Sequence, residues 1–439
     1  MVQILKIDLT VTLRGLATRL VYKFCMRLSF TLILFLASLA SAQTPQQLAL
    51  DRDASTLLEQ DFIAFNPHYT EEHESRVTRT MALAKRMYGQ EANGGKNACG
   101  HQVLFELGSL LISSADFKVI DARLHDLEAN IGHSSSDKQD ADGMWGACYQ
   151  EWYLKLYATY DHLEASTGDD PAPHPLPAFL ARAATPDKLV ALLDALSVSD
   201  VRHTGVDHER EFNETVATLL QMIVRRKPEN YTVDPALRDA LLDRVLHRYR
   251  NAETGYFGER YRRDGREDFP DDLSMTFHII SYLKGKLPEM PRVIDTTLAI
   301  KDFSYPAGWL WKGQYWNHNN MDVVALFHYG WAEASATQKK AMAAEIDRML
   351  TWCLHDSLQL DGSFKVHVAD GSIEDAEYYG TSFLARIGYF DPAQRFWTDR
   401  EFPDAAEVKK RILGFVSGHK GSGPTGDDYH STLELLGGR

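Results

Sequence analysis

The sequence predicts an all-α protein, and three observations support this class. Apolar residues recur at helical spacing along nearly the whole chain, as in Val216, Leu219, Leu220 and Ile223. Long runs of the alternating type that marks β-strands are nearly absent. The chain also repeats itself at a fixed interval, which is typical of arrays of helical hairpins.

The repeat is visible in two separate pairs of segments. Thr254-Gly-Tyr-Phe257 aligns with Asp361-Gly-Ser-Phe364, which places the two phenylalanines 107 residues apart. The same interval aligns the helical segment 213–221 with the segment 320–328. A period of this length holds four helices, which form two hairpins joined by a Gly-aromatic turn.

Helical hairpins of this kind cannot bury their apolar faces alone, so they stack side by side. Residues 43–439 hold about six or seven hairpins if each takes somewhat more than the usual two-helix repeat. We therefore predict one (α/α)6–7 toroid, an incomplete barrel with an inner ring, an outer ring and a cleft at one mouth. An open solenoid is the alternative, but aromatic and polar residues concentrate at one class of loop, which favours closure around a site.

The N-terminal 42 residues have the pattern of a signal peptide. Met26-Arg27 precedes the apolar run Phe30–Leu36, and Ala40-Ser41-Ala42 offers the small residues that a signal peptidase reads, so we expect cleavage before Gln43. The part upstream of Met26 is then an overlong N-terminus. The apolar run is too short to span a bilayer, and we expect a secreted or periplasmic protein without stable membrane insertion.

Composition and charge narrow the class further. The apolar fraction of 44% and the charged fraction of 25% are ordinary for a globular protein. Residues 1–42 carry five basic residues and one acidic residue, so the formal charge of −14 becomes −18 without them. A chain this acidic is a poor general nucleic-acid binder, although local cations can still hold an acidic sugar.

Cysteine usage gives no sign of a metal site. Cys99, Cys148 and Cys353 remain after cleavage, and the first two can pair in an oxidising compartment while the third stays free. Cys-x-x-Cys and His-Glu-x-x-His motifs are absent from the sequence, so zinc is not indicated. We expect no metal and no cofactor, and we expect a monomer.

The segment Gln314-Tyr-Trp-Asn-His-Asn-Asn320 is the strongest candidate for chemistry. The repeat alignment places His318 immediately before an inner helix, and a histidine can transfer protons near neutral pH. The side-chain amides of Asn317 and Asn319 can donate hydrogen bonds to an oxyanion. The alternative is that the asparagines only cap the following helix and that His318 is a hydrogen-bonded loop residue.

Two tyrosines open the next inner helix in the aligned register. Tyr379 shares a helical face with Phe383 and Ile387, which indicates packing. Tyr378 shares its face with small and polar residues that suit a lumen. We therefore favour Tyr378 as the functional hydroxyl and keep Tyr379 as the alternative.

Aromatic and basic side chains near these groups are candidates for substrate binding. Stacking on sugar faces is one interpretation, and core packing is the other, for Trp309, Trp311, Tyr315 and Trp316. Arginine forks suit carboxylates. Contact with an acidic substrate is one interpretation, and a solvated loop paired with neighbouring acids is the other, for Arg260, Arg262 and Lys312.

These residues together resemble a known family. Asn317-His318-Asn319 before an inner helix, a tyrosine pair that begins 60 residues after His318, a signal peptide and an α/α hairpin repeat are similar to the toroid-fold polysaccharide lyases, most closely polysaccharide lyase family 38. Members of this family cleave alginate or glucuronan. The resemblance implies β-elimination on an anionic 1,4-linked uronic-acid polymer, in which an amide and the histidine neutralise the carboxyl group and a tyrosine or the histidine removes the C5 proton.

Two alternative functions remain open at the level of sequence. A glycoside hydrolase on the same toroid needs two carboxylic groups across the cleft, and the candidates are Glu211, Glu214, Asp272, Asp322 and Glu377. A non-catalytic glycan-binding protein is the other alternative, because helical repeats often serve as binding scaffolds.

Overall fold

The computed structural model describes the chain in the ranges 43–91, 107–130, 141–144, 155–156, 159, 181–225, 234–367, 370, 373–418 and 429–437. The segment expected to be a signal peptide and the two cysteines expected to pair, Cys99 and Cys148, lie outside the described residues. Residues Gln43–Arg439 belong to one unit. Cys353 is buried and free, as expected.

Helices make up most of the described residues, which confirms the predicted all-α class. The helices are α1 (Pro45–Phe65), α2 (Tyr69–Glu91), α3 (Phe117–Asn130), α4 (Pro186–Leu196), α5 (Val201–Thr204), α6 (Glu209–Leu220), α7 (Pro235–Asp243), α8 (Leu273–Tyr282), α9 (Met290–Ala299), α10 (Asn317–Gly330), α11 (Ala336–Trp352), α12 (Ile373–Arg386), α13 (Ala405–Gly418) and α14 (His430–Leu435). Short π-helical turns extend α6, α7 and α11 at their C-terminal ends.

The helix starts follow the local sequence. Oxygen side chains accept hydrogen bonds from otherwise unpaired backbone N–H groups in the first turn. Thr44, Thr185 and Asp234 do this just before a proline that opens the helix. Asp272 caps α8, and Ser335 caps α11 in a reciprocal capping box with a glutamine.

Four helices form the row that positions the candidate site. The helices α6, α8, α10 and α12 pack side by side in that order, and α9 and α11 pack against α10. Between Phe257 and Phe364 the described chain contains four helices, α8 to α11. Helix α10 is buried around nearly its whole circumference, because helices contact it on several sides. Closure of the row into a ring, and the number of six or seven hairpins, stay predictions.

The Gly-aromatic turns of the two repeats have the same role. Phe257 and Phe364 are both buried, and each backbone N–H is bound by a side chain of the following inner helix. Thr276 Oγ1 of α8 accepts from the first at 2.9 Å, and Glu377 Oε1 of α12 accepts from the second at 2.6 Å. Each turn is thus bonded to the next helix of the row.

A small sheet is the one departure from the predicted class in the described ranges. Strands β1 (Val198–Ser199), β2 (Arg260–Arg263) and β3 (Arg266–Asp268) pair in that order, with β1 parallel to β2 and β2 antiparallel to β3. The β2–β3 hairpin contains Arg260 and Arg262, the two arginines that the sequence offers as candidates for substrate binding. Its residues are too few and too highly charged to show strand-type alternation.

Residues 303–316, which we call the tryptophan loop, lead into α10. The loop folds back on itself, because Leu310 N donates to Phe303 O and Tyr305 N donates to Leu310 O. Leu273 N of α8 donates to Pro306 O, which fixes the loop to the neighbouring inner helix. The loop therefore ends at a fixed place above the start of α10.

The contact between Gly380 of α12 and the ring of Phe364 gives a test of this packing. A Cβ at Gly380 would lie 2.5 Å from the nearest ring atom, so we expect Gly380→Ala to lower the free energy of unfolding by about 1–3 kcal/mol. The matched control is Gly414→Ala in α13, where no atom lies within 4 Å of the added Cβ. Urea unfolding should show this control to be unchanged or slightly stabilised, and equal stability of the two variants would contradict the packing.

Candidate active site

His318 lies in the first turn of α10. The helix begins at Asn317, and its N-cap is Trp316, which makes no side-chain capping bond. The prediction that His318 precedes the helix is therefore wrong by a short margin, and the alternative that the asparagines cap the helix is also wrong. Because α10 is buried, its first turn points polar side chains into the protein.

The His318 ring is enclosed by aromatic rings. Tyr379 of α12 stacks on it with ring centroids 4.4 Å apart and an interplanar angle of 26°. Trp316 packs edge-on at 4.7 Å, and Tyr305 of the tryptophan loop lies 6.4 Å away. The His318 side chain is 18% exposed, so it keeps an opening to solvent. The structure thus brings a histidine and a phenol, distant in the chain, into direct contact.

The flanking asparagines hold the first turn of α10 in place. Asn317 Nδ2 donates to Ser357 Oγ at 2.8 Å, and Asn319 Nδ2 donates to the backbone oxygen of Trp309 at 2.8 Å. Both side chains are buried, and their Oδ1 atoms have no hydrogen-bond partner among the described residues. The amide N–H groups that the sequence assigns to an oxyanion are therefore used within the protein.

A polar cluster lies one turn further into α10. Asn320 and Asp322 are fully buried, and the side-chain oxygen and nitrogen atoms of both lack hydrogen-bond partners in the described part of the chain. Asp322 Oδ2 lies 3.7 Å from His318 Nε2. Buried polar groups of this kind cost about 1–3 kcal/mol each unless they are satisfied, so the cluster suits a polar ligand.

Burial controls the protonation of this cluster. Burial lowers the pKa of His318 to about 3, with further lowering by His278, Arg210 and His367. Burial raises the pKa of Asp322 well above its ordinary value. Burial therefore favours the uncharged form of both groups.

Two further histidines face the same region. His278 of α8 bonds through Nδ1 to Asn213 Oδ1 of α6 at 3.2 Å, and burial and Arg210 lower its pKa to about 4. His367 stacks on Trp316 at 4.8 Å, and burial followed by Lys312 lowers its pKa to about 4. All four inner helices of the row thus contribute a polar side chain to the region.

The tryptophan loop divides between core and site. Trp311 packs against Trp316 at 5.6 Å and against His367 at 5.5 Å, and it is only partly buried. Lys312 is exposed beside them. For Trp309 the structure supports the core interpretation and contradicts the substrate-stacking one, because the side chain is 1% exposed and packs edge-on against Phe327. Trp316 is buried as well, and its Nε1 donates to Asp370 Oδ1 at 2.7 Å. Its ring therefore forms a fixed side of the site next to His318.

Three of the residues predicted to bind substrate are held elsewhere. Tyr315 packs against Trp352 at the end of α11, with a centroid distance of 6.0 Å. Arg260 donates to the backbone oxygen of Arg248, and Arg262 pairs with Glu267 across the β2–β3 hairpin at 3.5 Å. The structure therefore places them outside the His318 cluster, and the interpretation as a loop paired with neighbouring acids fits Arg262.

The choice between the two tyrosines changes with the structure. Both are half-buried, but it is Tyr379 that stacks on His318, while Tyr378 lies behind it with a centroid distance of 5.6 Å. The sequence argument gave Tyr379 a packing role because it shares a face with apolar residues. The packing partner proves to be the histidine itself.

Sequence reasoning missed four members of the cluster: Asn213, His278, Tyr305 and His367. The alignment of Asn213 with Asn320 was a usable signal, because it places an amide at the same point of a neighbouring inner helix. His278 lies in an apolar helical run, a pattern that is typical of a core histidine. Tyr305 and His367 lie in loops, where no periodicity points to a partner.

Searches of the described ranges give no sign of a metal centre or a membrane span. Among these residues, no group of three or more His, Cys, Asp or Glu side chains is arranged to hold a metal ion. None of their helices is both long enough and apolar enough to cross a membrane.

Comparison with protein-family models, with curated proteins and with solved structures finds no match to this chain.

Glu377 links the site to folding stability. Burial raises its pKa to about 8, so the folded protein holds a proton that the unfolded chain releases near the ordinary value of 4.5. The stabilisation is complete below pH 4.5 and is lost as the pH rises through 8. We expect Glu377→Gln, which keeps the acceptor for Phe364 N, to weaken this loss. Urea unfolding at pH 5, 7 and 9 should show a smaller decline for the variant, and parallel declines would contradict the assignment.

Proposed function

We propose that this protein is an exported polysaccharide lyase that cleaves 1,4-linked uronic-acid polymers by β-elimination on an α/α toroid. The observation that carries the proposal is the stacking of Tyr379 on His318, with ring centroids 4.4 Å apart, in an aromatic site that leaves His318 18% exposed. The reaction needs a base for the C5 proton and an acid for the departing O4 atom. An imidazole and a phenol in contact can serve as this pair.

In the proposed reaction the neutral His318 imidazole removes the C5 proton of the uronate. The electron pair moves into a C4–C5 double bond, the C4–O4 bond breaks, and the Tyr379 hydroxyl gives its proton to O4. The imidazolium then returns a proton to the phenolate. A lowered histidine pKa keeps the imidazole unprotonated and ready to accept at neutral pH.

The buried polar cluster supports recognition of the uronate carboxyl group. Burial favours the protonated form of Asp322, and in that form its carboxyl group and the Asn320 amide can donate hydrogen bonds to a carboxylate without adding negative charge. Arg210 contributes to the lowered pKa of His318 and Lys312 to that of His367, so positive charges act on the site although the chain is acidic. A bound carboxylate reverses that effect and raises the basicity of His318.

The adjacency of the two rings also bears on the preferred polymer. In β-1,4-linked glucuronate and mannuronate, the C5 hydrogen and O4 project from the same face of the sugar ring, whereas in guluronate they project from opposite faces. Two groups in contact on one side of the site are suited to remove the C5 proton and to protonate O4 on the same face of the sugar ring. The proposal therefore favours glucuronan or polymannuronate over polyguluronate.

The glycoside hydrolase alternative has weaker support in the site. Two of its candidate carboxylates hold backbone N–H groups, since Asp272 caps α8 and Glu377 binds Phe364 N. Asp322 is fully buried within α10. A hydrolase needs two carboxyl groups that both reach the glycosidic bond. For these three residues to serve, Asp272 and Glu377 would have to give up their bonds to backbone N–H groups, and Asp322 would have to become exposed.

A substrate panel tests the class of reaction. Elimination leaves an unsaturated uronate that absorbs in the ultraviolet, and hydrolysis does not. We expect the mature protein to raise the ultraviolet absorbance of glucuronan and polymannuronate solutions, to act more slowly on polyguluronate, and to leave a neutral glucan unchanged. New reducing ends without a rise in absorbance would support the hydrolase, and neither signal would support a binding protein.

Paired tyrosine variants test the assignment within the site. We expect Tyr379→Phe to lower kcat by about 100-fold or more, because the proton donor to O4 is lost while the stacked ring remains. The matched control is Tyr378→Phe, which removes a neighbouring hydroxyl and should change kcat by less than about tenfold. Initial rates on the best polymer of the panel give both values, and the reverse order would transfer the role to Tyr378.

A further inference from the structure

Two buried aspartates join α1 to the rest of the protein. Asp51 of α1 and Asp271, just before α8, are each 1% exposed. Asp271 N donates to Asp51 Oδ1 at 2.9 Å. The side-chain amide of Gln43 bridges the two carboxyl groups, because its Nε2 lies 3.0 Å from Asp51 Oδ2 and 2.5 Å from Asp271 Oδ2.

The remaining partners of this carboxyl pair are neutral. Gln47 Nε2 donates to Asp51 at 2.8 Å, and Thr254 Oγ1 donates to Asp271 at 2.6 Å. Within the described ranges, the hydrogen bonds and ion pairs of the two aspartates include no lysine, arginine or histidine. Burial raises both pKa values, that of Asp51 to about 6.

With a pKa of about 6, the Asp51 carboxyl group is mostly ionised at neutral pH. Buried charges in proteins are normally paired with an opposite charge, because an isolated buried ion is strongly unfavourable. A cation at this place would therefore stabilise the carboxyl pair.

Gln43 is the residue placed to supply that cation. It is 7% exposed, and its Oε1 atom has no hydrogen-bond partner among the described residues. It also directly follows Ala40-Ser41-Ala42, where the sequence predicts cleavage. The α-nitrogen of Gln43 is joined to the bridging Nε2 atom through five covalent bonds, so cleavage before Gln43 creates a positive charge on the same residue that binds both carboxyl groups.

We propose that Asp51, Asp271 and the Gln43 side chain form a binding site for the α-ammonium group of Gln43 itself. A signal peptidase adds one water molecule across the Ala42–Gln43 peptide bond, which leaves a carboxylate on Ala42 and an α-ammonium group on Gln43. The new cation neutralises the carboxyl pair and locks α1 onto the segment that precedes α8. Before cleavage, the same nitrogen is an uncharged peptide N–H and leaves the negative charge uncompensated.

The position of α1 affects the segments that line a cavity beside it. Ala54, Ser55 and Leu58 of α1 form one wall of a cavity of about 50 Å³, and Pro306 and Ala307 of the tryptophan loop lie across it. These two residues follow Tyr305, which faces His318. Processing at Gln43 thus stabilises the element that supports the tryptophan loop.

The experiment compares two N-termini of the same chain. One protein begins at Gln43 and is released from a fusion by a protease that leaves no residue behind, and the other retains Ser41-Ala42. We expect the melting temperature of the first to be higher by about 3 °C or more. Intact mass establishes that Gln43 has not cyclised with loss of ammonia. Equal melting temperatures would overturn the proposal.

A double variant and a chemical probe distinguish the proposed binding of the α-ammonium group from other effects of an N-terminal extension. In the Asp51→Asn/Asp271→Asn background, the difference between the two N-termini should vanish, and a difference of unchanged size would contradict the proposal. If that background fails to fold, labelling of the wild-type protein with an amine-reactive ester decides. The Gln43 α-amine should react at least about tenfold more slowly in the folded protein than after denaturation, and equal rates would overturn the site.

The N-terminus made in a cell gives an independent outcome. Protein expressed with residues 1–42 and recovered after export should begin at Gln43 by terminal sequencing. A chain that begins at any other residue would overturn the proposal. None of these measurements depends on the polysaccharide lyase activity, so the two proposals fail separately.

Discussion

The burial of α10 on nearly every side is the constraint on which the candidate site depends. A helix that is enclosed by α8, α9, α11 and α12 has no solvent face on which to place polar residues. Its first turn nevertheless carries three asparagines and a histidine. The protein resolves this conflict by bonding Asn317 and Asn319 to neighbouring segments and by covering His318 with Tyr379.

The same constraint explains the electrostatics of the site. The chain as a whole is strongly acidic, yet burial raises the pKa values of Asp322 and Glu377 and lowers those of His278, His318 and His367, so it favours the uncharged form of each group. What remains is a polar region with low net charge, and Arg210 influences it from one side. An acidic polymer can approach such a region even though the average surface would repel it.

The sequence was sufficient for features that repeat or alternate along one element. Helical spacing predicted the class, and the matching turns around Phe257 and Phe364 predicted the order of four helices per period. Features that depend on which element packs next to which were less accessible. A helical wheel assigned Tyr379 to packing correctly, but it could not identify the packing partner as His318, because the position of α10 relative to α12 is set by the whole row. The choice between sugar stacking and core packing for Trp309 and Tyr315 stayed open at the level of sequence for the same reason.

Division of the proposed catalytic pair between α10 and α12 has a consequence for how the protein would lose the proposed activity. These helices belong to two different hairpins, and contacts between neighbouring hairpins carry much of the stability of such arrays. Local opening of the hairpin that contains α12 would separate the phenol from the imidazole while the rest of the row stays folded. Activity in such a molecule is a more sensitive indicator of partial denaturation than its helical content.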